Sequence, residues 1–213
     1  MAGEEVIKRH DKVYFTFGRF NPPHSGHAKL IQQLAEDAGS EGDAYAFVTS
    51  TQDRRENPLD VYTKVEFLQK QNPATSVRFI NTTEKNCKQI KQCVQLLLAA
   101  GYAESDITLV VGKDQYDAGS FEFLQKMFPA MKFRTTALLD RSNKMSATEM
   151  REAARSNNRN KFRRGTQIGS MKEENTLNLL RRVREGMGLG ASRGRNRSRS
   201  RNRNAGAKTQ RRR

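Results

Sequence analysis

The chain alternates between short β-branched or aromatic runs and longer stretches with apolar residues at helical spacing. Lys12 to Thr16 (KVYFT) is strand-like and runs into Gly18. From Ser25 to Asp37 the apolar positions Leu30, Ile31, Leu34 and Ala35 fall on one helical face. Ala44 to Thr49 predicts a second strand, Tyr62 to Gln69 a helix, and Val77 to Ile80 a third strand. Cys87, Ile90, Val94, Leu97 and Leu98 recur at helical spacing, with Gly101 where a C-terminal cap belongs. Ile107 to Val111 (ITLVV) is the clearest buried strand and leads into Gly112. Phe121 to Met127 predicts a helix stopping before Pro129, Met131 to Leu139 a last strand, and Ser146 to Arg155 a helix after it. Such βα alternation predicts an α/β fold: a Rossmann-like, parallel, five-stranded sheet with helices on both faces.

Beyond Arg155 the pattern breaks. Ser156 to Arg164 (SNNRNKFRR) is polar and basic, and Lys172 to Met187 reads as one amphipathic helix with Leu177, Leu179, Leu180 and Val183 as docking candidates. The expected organisation is a domain over residues 1–156, a basic linker with an amphipathic helix over 157–188, and a disordered Arg-rich tail over 189–213.

Charge sharpens this division. The 213 residues carry 39 Lys+Arg against 23 Asp+Glu, a net +16, and residues 189–213 hold nine Arg, Lys208 and no acid, hence +10. A polycationic tail is the electrostatic footprint of a partner rich in phosphate or carboxylate, and binding through it would be sequence-independent and salt-sensitive. A solvated solubility or targeting tail reads the same way. Val94 to Ala100 is the longest apolar stretch, far too short to span a bilayer, so no membrane partner is expected. Cys87 and Cys93 are read on different turns of one helix, as reduced thiols of a cytosol-like, cytoplasmic compartment; no metal-ligand spacing occurs.

The chemistry gathers after the first strand, in Phe17-Gly18-Arg19-Phe20-Asn21-Pro22-Pro23-His24-Ser25-Gly26-His27. A strand ends in glycine, two prolines turn the chain, and His-x-Gly-His opens a helix at the carboxyl edge of the sheet, where α/β folds bind ligands. A helix start offers free N–H groups and a positive dipole end to phosphate. Gly18 admits close approach to the main chain and Gly26 close packing at the helix entrance. His24 and His27, three apart, project to the same side and suit triphosphate oxygens or developing negative charge. Either taken alone would be an ordinary surface or capping histidine.

This segment resembles the signature of the nucleotidylyltransferase superfamily, Gly-x-Phe-x-Pro-x-His-x-Gly-His, with one additional proline position. Met145-Ser146-Ala147-Thr148-Glu149-Met150-Arg151 is similar to its second signature, and Val111-Gly112-Lys113-Asp114 to its Gly-x-Asp. The wording is closest to archaeal-type nicotinamide-mononucleotide adenylyltransferases and to cytidylyltransferase-like proteins of tailed phages. The latter also share stretches like Thr51-Gln52-Asp53 and Asn57-Pro58-Leu59.

The resemblance implies transfer of a nucleoside monophosphate from an NTP, ATP favoured over CTP, to a small phosphorylated acceptor with release of pyrophosphate. By it, His24, His27 and Arg151 are the catalytic residues. Phe17, Gly18, Phe20, Gly26, Gly112, Asp114, Ser146 and Thr148 would bind the nucleotide, and Arg19 the acceptor. Mg²⁺ would be held through the NTP phosphates, with no protein ligand to the metal. A homo-oligomer is common in the family. The bland readings stay open: Ser146 with Glu149 is a capping box by itself, Asp114 a helix cap, Arg19 a surface ion pair, and Lys64 and Lys113 solvated lysines. The tail is atypical of a metabolic enzyme. It suits a virus- or phage-encoded, virion-associated or nucleic-acid-binding protein that keeps the fold with or without turnover.

Overall fold

The computed structural model describes residues 5–136, 146–169 and 171–190. Five parallel strands, β1 (Lys12–Gly18), β2 (Gly42–Val48), β3 (Arg78–Asn81), β4 (Ile107–Gly112) and β5 (Lys132–Thr136), lie in the order β3-β2-β1-β4-β5. The helices are α1 (Ser25–Ala38), α2 (Val61–Gln71), α3 (Ile90–Ala99), α4 (Lys113–Asp117), α5 (Glu122–Met127), α6 (Ala147–Arg155), α7 (Arg159–Thr166) and α8 (Glu173–Gly186). The chain is thus the expected α/β, Rossmann-like fold. Residues 137–139 of the expected last strand, Met145 and residues 191–213 of the tail lie outside the described residues.

Strand periodicity sorts the core into two layers. Val13, Phe15, Tyr45, Phe47, Ile107, Leu109 and Val111 face α3 and α5, meeting Cys93, Val94, Leu97 and Leu124. The alternate positions Ala44, Ala46, Val48 and Val110 face α1 and α2, meeting Ile31, Leu34 and Leu68. Both faces are covered, so the inner strands read as nearly unbroken apolar runs. Edge strand β5 is mostly exposed, and Arg134 fastens it to α1 through Asp37 at 3.1 Å.

A third core lies off the sheet, where Leu59, Phe67 and Met150 pack with Phe162, Met171, Leu179, Leu180 and Val183. The basic stretch after Arg155 therefore contains a helix, α7, anchored by Phe162, its one large apolar side chain and fully buried. On α8, Leu179, Leu180 and Val183 dock as their spacing predicts, but Leu177 is 41% exposed. At the end of α8, a methyl group on Gly186 would collide with the carbonyl oxygen of Pro58, so helix and loop touch backbone to backbone there.

One expectation is corrected. Cys87 is not on the helix with Cys93: a turn closed by Cys87 N–H on the Thr82 carbonyl at 3.0 Å, with Asn86 at φ 51, delays the helix. A capping box of Gln89 and Gln92 then starts α3 at Ile90. The two thiols, both free and buried, are neighbours, with Cys93 Sγ 3.7 Å from the Cys87 carbonyl. Among the described residues no helix is long and apolar enough to cross a membrane, and no group of three or more His, Cys, Asp or Glu is placed to hold a metal ion.

Candidate active site

At the carboxyl end of the central strand β1 the chain leaves Gly18 and turns sharply at Phe20, whose φ is 47. The Phe20 ring folds back over Gly18, where an added Cβ would stand 2.9 Å from it. The close approach that this glycine allows is therefore that of Phe20, 2% exposed. Phe17, one residue before Gly18, joins the opposite core layer. Asn21 follows, buried, and clamps Leu59 in both directions: its amide donates to the Leu59 carbonyl and its oxygen accepts from the Leu59 N–H, each at 3.1 Å. This pair joins the turn after β1 to the loop before α2.

That loop is organised by Asp53. Its carboxylate accepts from the N–H groups of Glu56 at 2.6 Å and Arg55 at 2.9 Å and from the Asn57 amide at 2.5 Å. These bonds, the Glu56 N–H foremost, hold its pKa down to about 2. Beneath the loop, Lys64 is fully buried and donates to the carbonyls of Thr49 at 2.8 Å and Thr51 at 3.0 Å, and burial lowers its pKa to about 8. Lys64 is therefore a tie for the end of β2 rather than a free cation. Lys113 is likewise engaged, paired with Asp117 at 2.7 Å.

His24 is the N-cap of α1, and its Nδ1 accepts the Gly26 N–H at 3.1 Å. With Nδ1 occupied as an acceptor, the neutral ring carries its proton on Nε2, which leaves Nε2–H as the donor. His27 stacks on it, with ring centroids 3.7 Å apart, and meets the edge of Phe20 at 4.9 Å. Burial, then Arg151, lowers the His24 pKa to about 4, against a small opposing pull from Glu149. Burial and then His24 hold His27 well below the ordinary histidine value. Both imidazoles are neutral at pH 7. The His27 Nδ1 is buried with no hydrogen-bond partner among the described residues.

Helix α6 closes the group from the far end of the sequence. Arg151 donates to the Asn21 carbonyl at 2.9 Å and to Thr148 Oγ1 at 3.0 Å. Desolvation lowers its pKa, but it remains a cation. Ser146 caps α6 in a complete capping box with Glu149. Its hydroxyl lies 3.2 Å from both the Glu149 N–H and the Glu149 carboxylate. Arg19 is exposed and 3.6 Å from Glu56.

The fold thus gathers His24, His27, Phe20, Gly18 and Arg151 with the start of α6, although 130 residues separate Arg151 from Asn21. Gly112 and Asp114 lie at the end of β4, beside β1, where Gly112 is the N-cap of α4. Neither hydrogen-bonds to the His–Arg group among the described residues, and Asp114 does not cap its helix. Sequence reasoning missed Asn21, whose side chain and carbonyl join three segments. Only its place inside the Phe-x-Pro signature pointed to it.

The family model described as cytidylyltransferase-like matches residues 15–153. No curated protein matches the chain by sequence. Among solved structures, a bifunctional NMN adenylyltransferase/ADP-ribose pyrophosphatase from Francisella tularensis, complexed with AMP and a manganese ion, superposes with a TM-score of 0.56 at 13% identity over 83% of this chain and 52% of that one. Nicotinic acid mononucleotide adenylyltransferase of Plasmodium falciparum, complexed with NaAD, gives 0.53 at 12% identity over 83% of this chain and 98% of that one. A candidate nicotinate-nucleotide adenylyltransferase from Vibrio parahaemolyticus gives 0.50 at 17% identity, covering 69% and 88%. At these identities the structural likeness is one of fold. The family match covers well over half the chain and both signatures, from Gly18 to Arg151, so the protein belongs to the cytidylyltransferase-like family and is a nucleotidylyltransferase.

Proposed function

We propose that the protein transfers AMP from ATP to a phosphate-bearing acceptor of the nicotinamide-mononucleotide type, releasing pyrophosphate. One observation carries this reading: two neutral, stacked imidazoles at the N-terminus of α1, facing an arginine pinned to the turn that precedes them. An acceptor phosphate oxygen attacks the α-phosphorus in line, and the bond to the pyrophosphate breaks. The protein's part is positioning and charge stabilisation. His24 Nε2–H and the α1 N-terminus stabilise charge growing on the α- and β-phosphate oxygens. Arg151 reaches the departing pyrophosphate, and Thr148, which accepts from Arg151, keeps its hydroxyl proton to donate. Arg19 meets the acceptor phosphate. Gly112 and Asp114 border the nucleoside, with the Asp114 carboxylate on a ribose hydroxyl.

The donor set of neutral His, Arg and hydroxyl fits a divalent cation held by phosphates and water rather than by side chains. Bound with the nucleotide, Mg²⁺ would neutralise triphosphate charge. The AMP and NaAD in the similar structures favour adenylyl transfer; the family's cytidylyl description keeps CTP as the second donor. The tail over residues 189–213 is proposed to contact a polyanion, which suits a virion-associated protein.

The test is pyrophosphate release with each NTP, Mg²⁺ and a panel of phosphorylated acceptors. ATP with a mononucleotide acceptor should turn over. His24→Ala and His27→Ala should each lower the rate about 10²–10³-fold without unfolding the chain. Near-wild-type rates in both variants would reassign the site. No release with any NTP, in a protein that still binds nucleotide, would favour a particle-associated role without turnover.

A further inference from the structure

The charge of this protein is displaced from its sheet. Residues 1–155 hold 21 basic and 20 acidic side chains, whereas residues 156–213 hold 18 basic and three acidic, Glu173, Glu174 and Glu185. The excess therefore begins in the folded layer of α7 and α8, before the Arg-rich stretch is reached.

Three contacts join this layer, helix α6 and the loop that borders the site. Arg155 Nη2 donates to the Arg55 carbonyl at 3.1 Å. Arg184 Nη1 donates to the carbonyl of Ala154 on α6. Gly186 sits against the Pro58 carbonyl, and Asn21 grips Leu59 at the other end of the same loop. Most acidic side chains in this neighbourhood are already engaged: Glu56 lies 3.6 Å from Arg19, Glu152 3.1 Å from Arg155, Glu173 3.3 Å from Arg163 and Glu185 3.0 Å from Arg181, while Glu174 at the start of α8 is exposed with no ion pair among the described residues. By contrast, Arg55, Arg159 and Arg182 are exposed, and their guanidinium groups have no ion-pair partner among the described residues. Arg159 opens α7 just after Arg155, and Arg182 lies one helical turn before Gly186.

We propose that Arg55, Arg159 and Arg182 form a docking face for the phosphate backbone of double-stranded nucleic acid, beside the nucleotide site and distinct from the tail. Unpaired guanidinium groups on packed elements suit phosphate, which they bind through planar, charge-assisted hydrogen bonds. A duplex supplies one negative charge per about 1.7 Å of its axis. The α7–α8 part of the face has no ring on which unpaired bases could stack: the only aromatic residue in 156–213 is Phe162, and it is fully buried. Recognition is therefore of the backbone, blind to sequence. The Arg-rich stretch continues from the end of α8 and would extend the same contact. The face stands whether or not the neighbouring site turns over.

The experiment measures affinity of the full chain for a duplex of about 20 base pairs across a salt series, alongside the full-length Arg55→Gln/Arg159→Gln/Arg182→Gln variant. Each phosphate contact contributes about −0.9 to the slope of log K against log[salt], so the variant should flatten that slope by about 2.7. Melting temperature and pyrophosphate release with a small acceptor should stay at wild-type values. If the triple variant melts early, Arg182→Gln alone should flatten the slope by about 0.9. An unchanged slope in a folded variant would overturn the face and leave binding to the tail. Poly-L-glutamate bound as tightly as the duplex at equal salt would overturn the nucleic-acid assignment in favour of an acidic protein.

Discussion

A histidine that caps its own helix is fixed in one tautomer, and at His24 this decides what the ring can offer. Its Nδ1 is occupied by the Gly26 N–H, so protonation there would break the cap and place a cation beside Arg151. Burial and that guanidinium depress its pKa from 6.5 to about 4. The sign of the linkage follows. Between these values the unfolded chain binds a proton that the folded chain refuses, so stability falls as pH drops from about 7 toward 4 and is flat above 7. At about 1.4 kcal/mol per unit, the gap corresponds to roughly 3 kcal/mol. Urea denaturation of wild type and His24→Asn between pH 7.5 and 4.5 checks this, since asparagine keeps an N-cap acceptor but does not titrate. The wild type should lose the more stability on acidification. Equal losses would mean that His24 is not held neutral. Carboxylates with depressed pKa values add their own loss only near and below about pH 4.

At the scale of elements, one carboxylate at the edge of the sheet opposite the site does more than any cap. Asp43, 3% exposed at the start of β2, accepts from the Arg9 and His10 N–H groups at 2.9 Å, from the Tyr102 hydroxyl at 2.6 Å, and from Arg78. It thereby ties the segment before β1, strand β3 and the turn after α3 to β2. Asp43→Ala would strand these donors and should cost about 3–5 kcal/mol, against about 1 kcal/mol for Asp60→Ala at the N-cap of α2. Urea midpoints of the two variants test the contrast. The sequence showed none of this, because a side chain bonded to main-chain groups leaves no periodic trace. The strands were legible because both faces of the sheet are apolar. His24, His27, Ser146 and Arg151 were legible because their spacing at two helix starts is itself a pattern. Helix α7 was hidden, since one residue, Phe162, supplies its apolar anchor. Cys87 misled by sharing the spacing of α3 across a turn.

At the scale of the molecule, the third core makes α7 and α8 part of the fold. Phe162, Leu179, Leu180 and Val183 cover Leu59, Phe67 and Met150. Ending the chain after residue 190 should leave the melting temperature unchanged. Ending it after residue 156 uncovers this cluster and should abolish cooperative melting or cause aggregation, as thermal denaturation followed by circular dichroism would report. A stable 1–156 fragment would show that the sheet domain is self-sufficient.

Position 186 shows what that arrangement demands. Alanine there would favour the last turn of α8 by up to about 1 kcal/mol, yet its methyl group would push against the Pro58 backbone, in the loop whose next residue, Leu59, Asn21 holds. Helix propensity and the seating of the loop pull this residue in opposite directions. A search for stabilising substitutions guided by propensity alone would choose alanine at this position and, in gaining a better helix, would displace one wall of the site. What keeps the C-terminal layer and the candidate site in step is a missing methyl group.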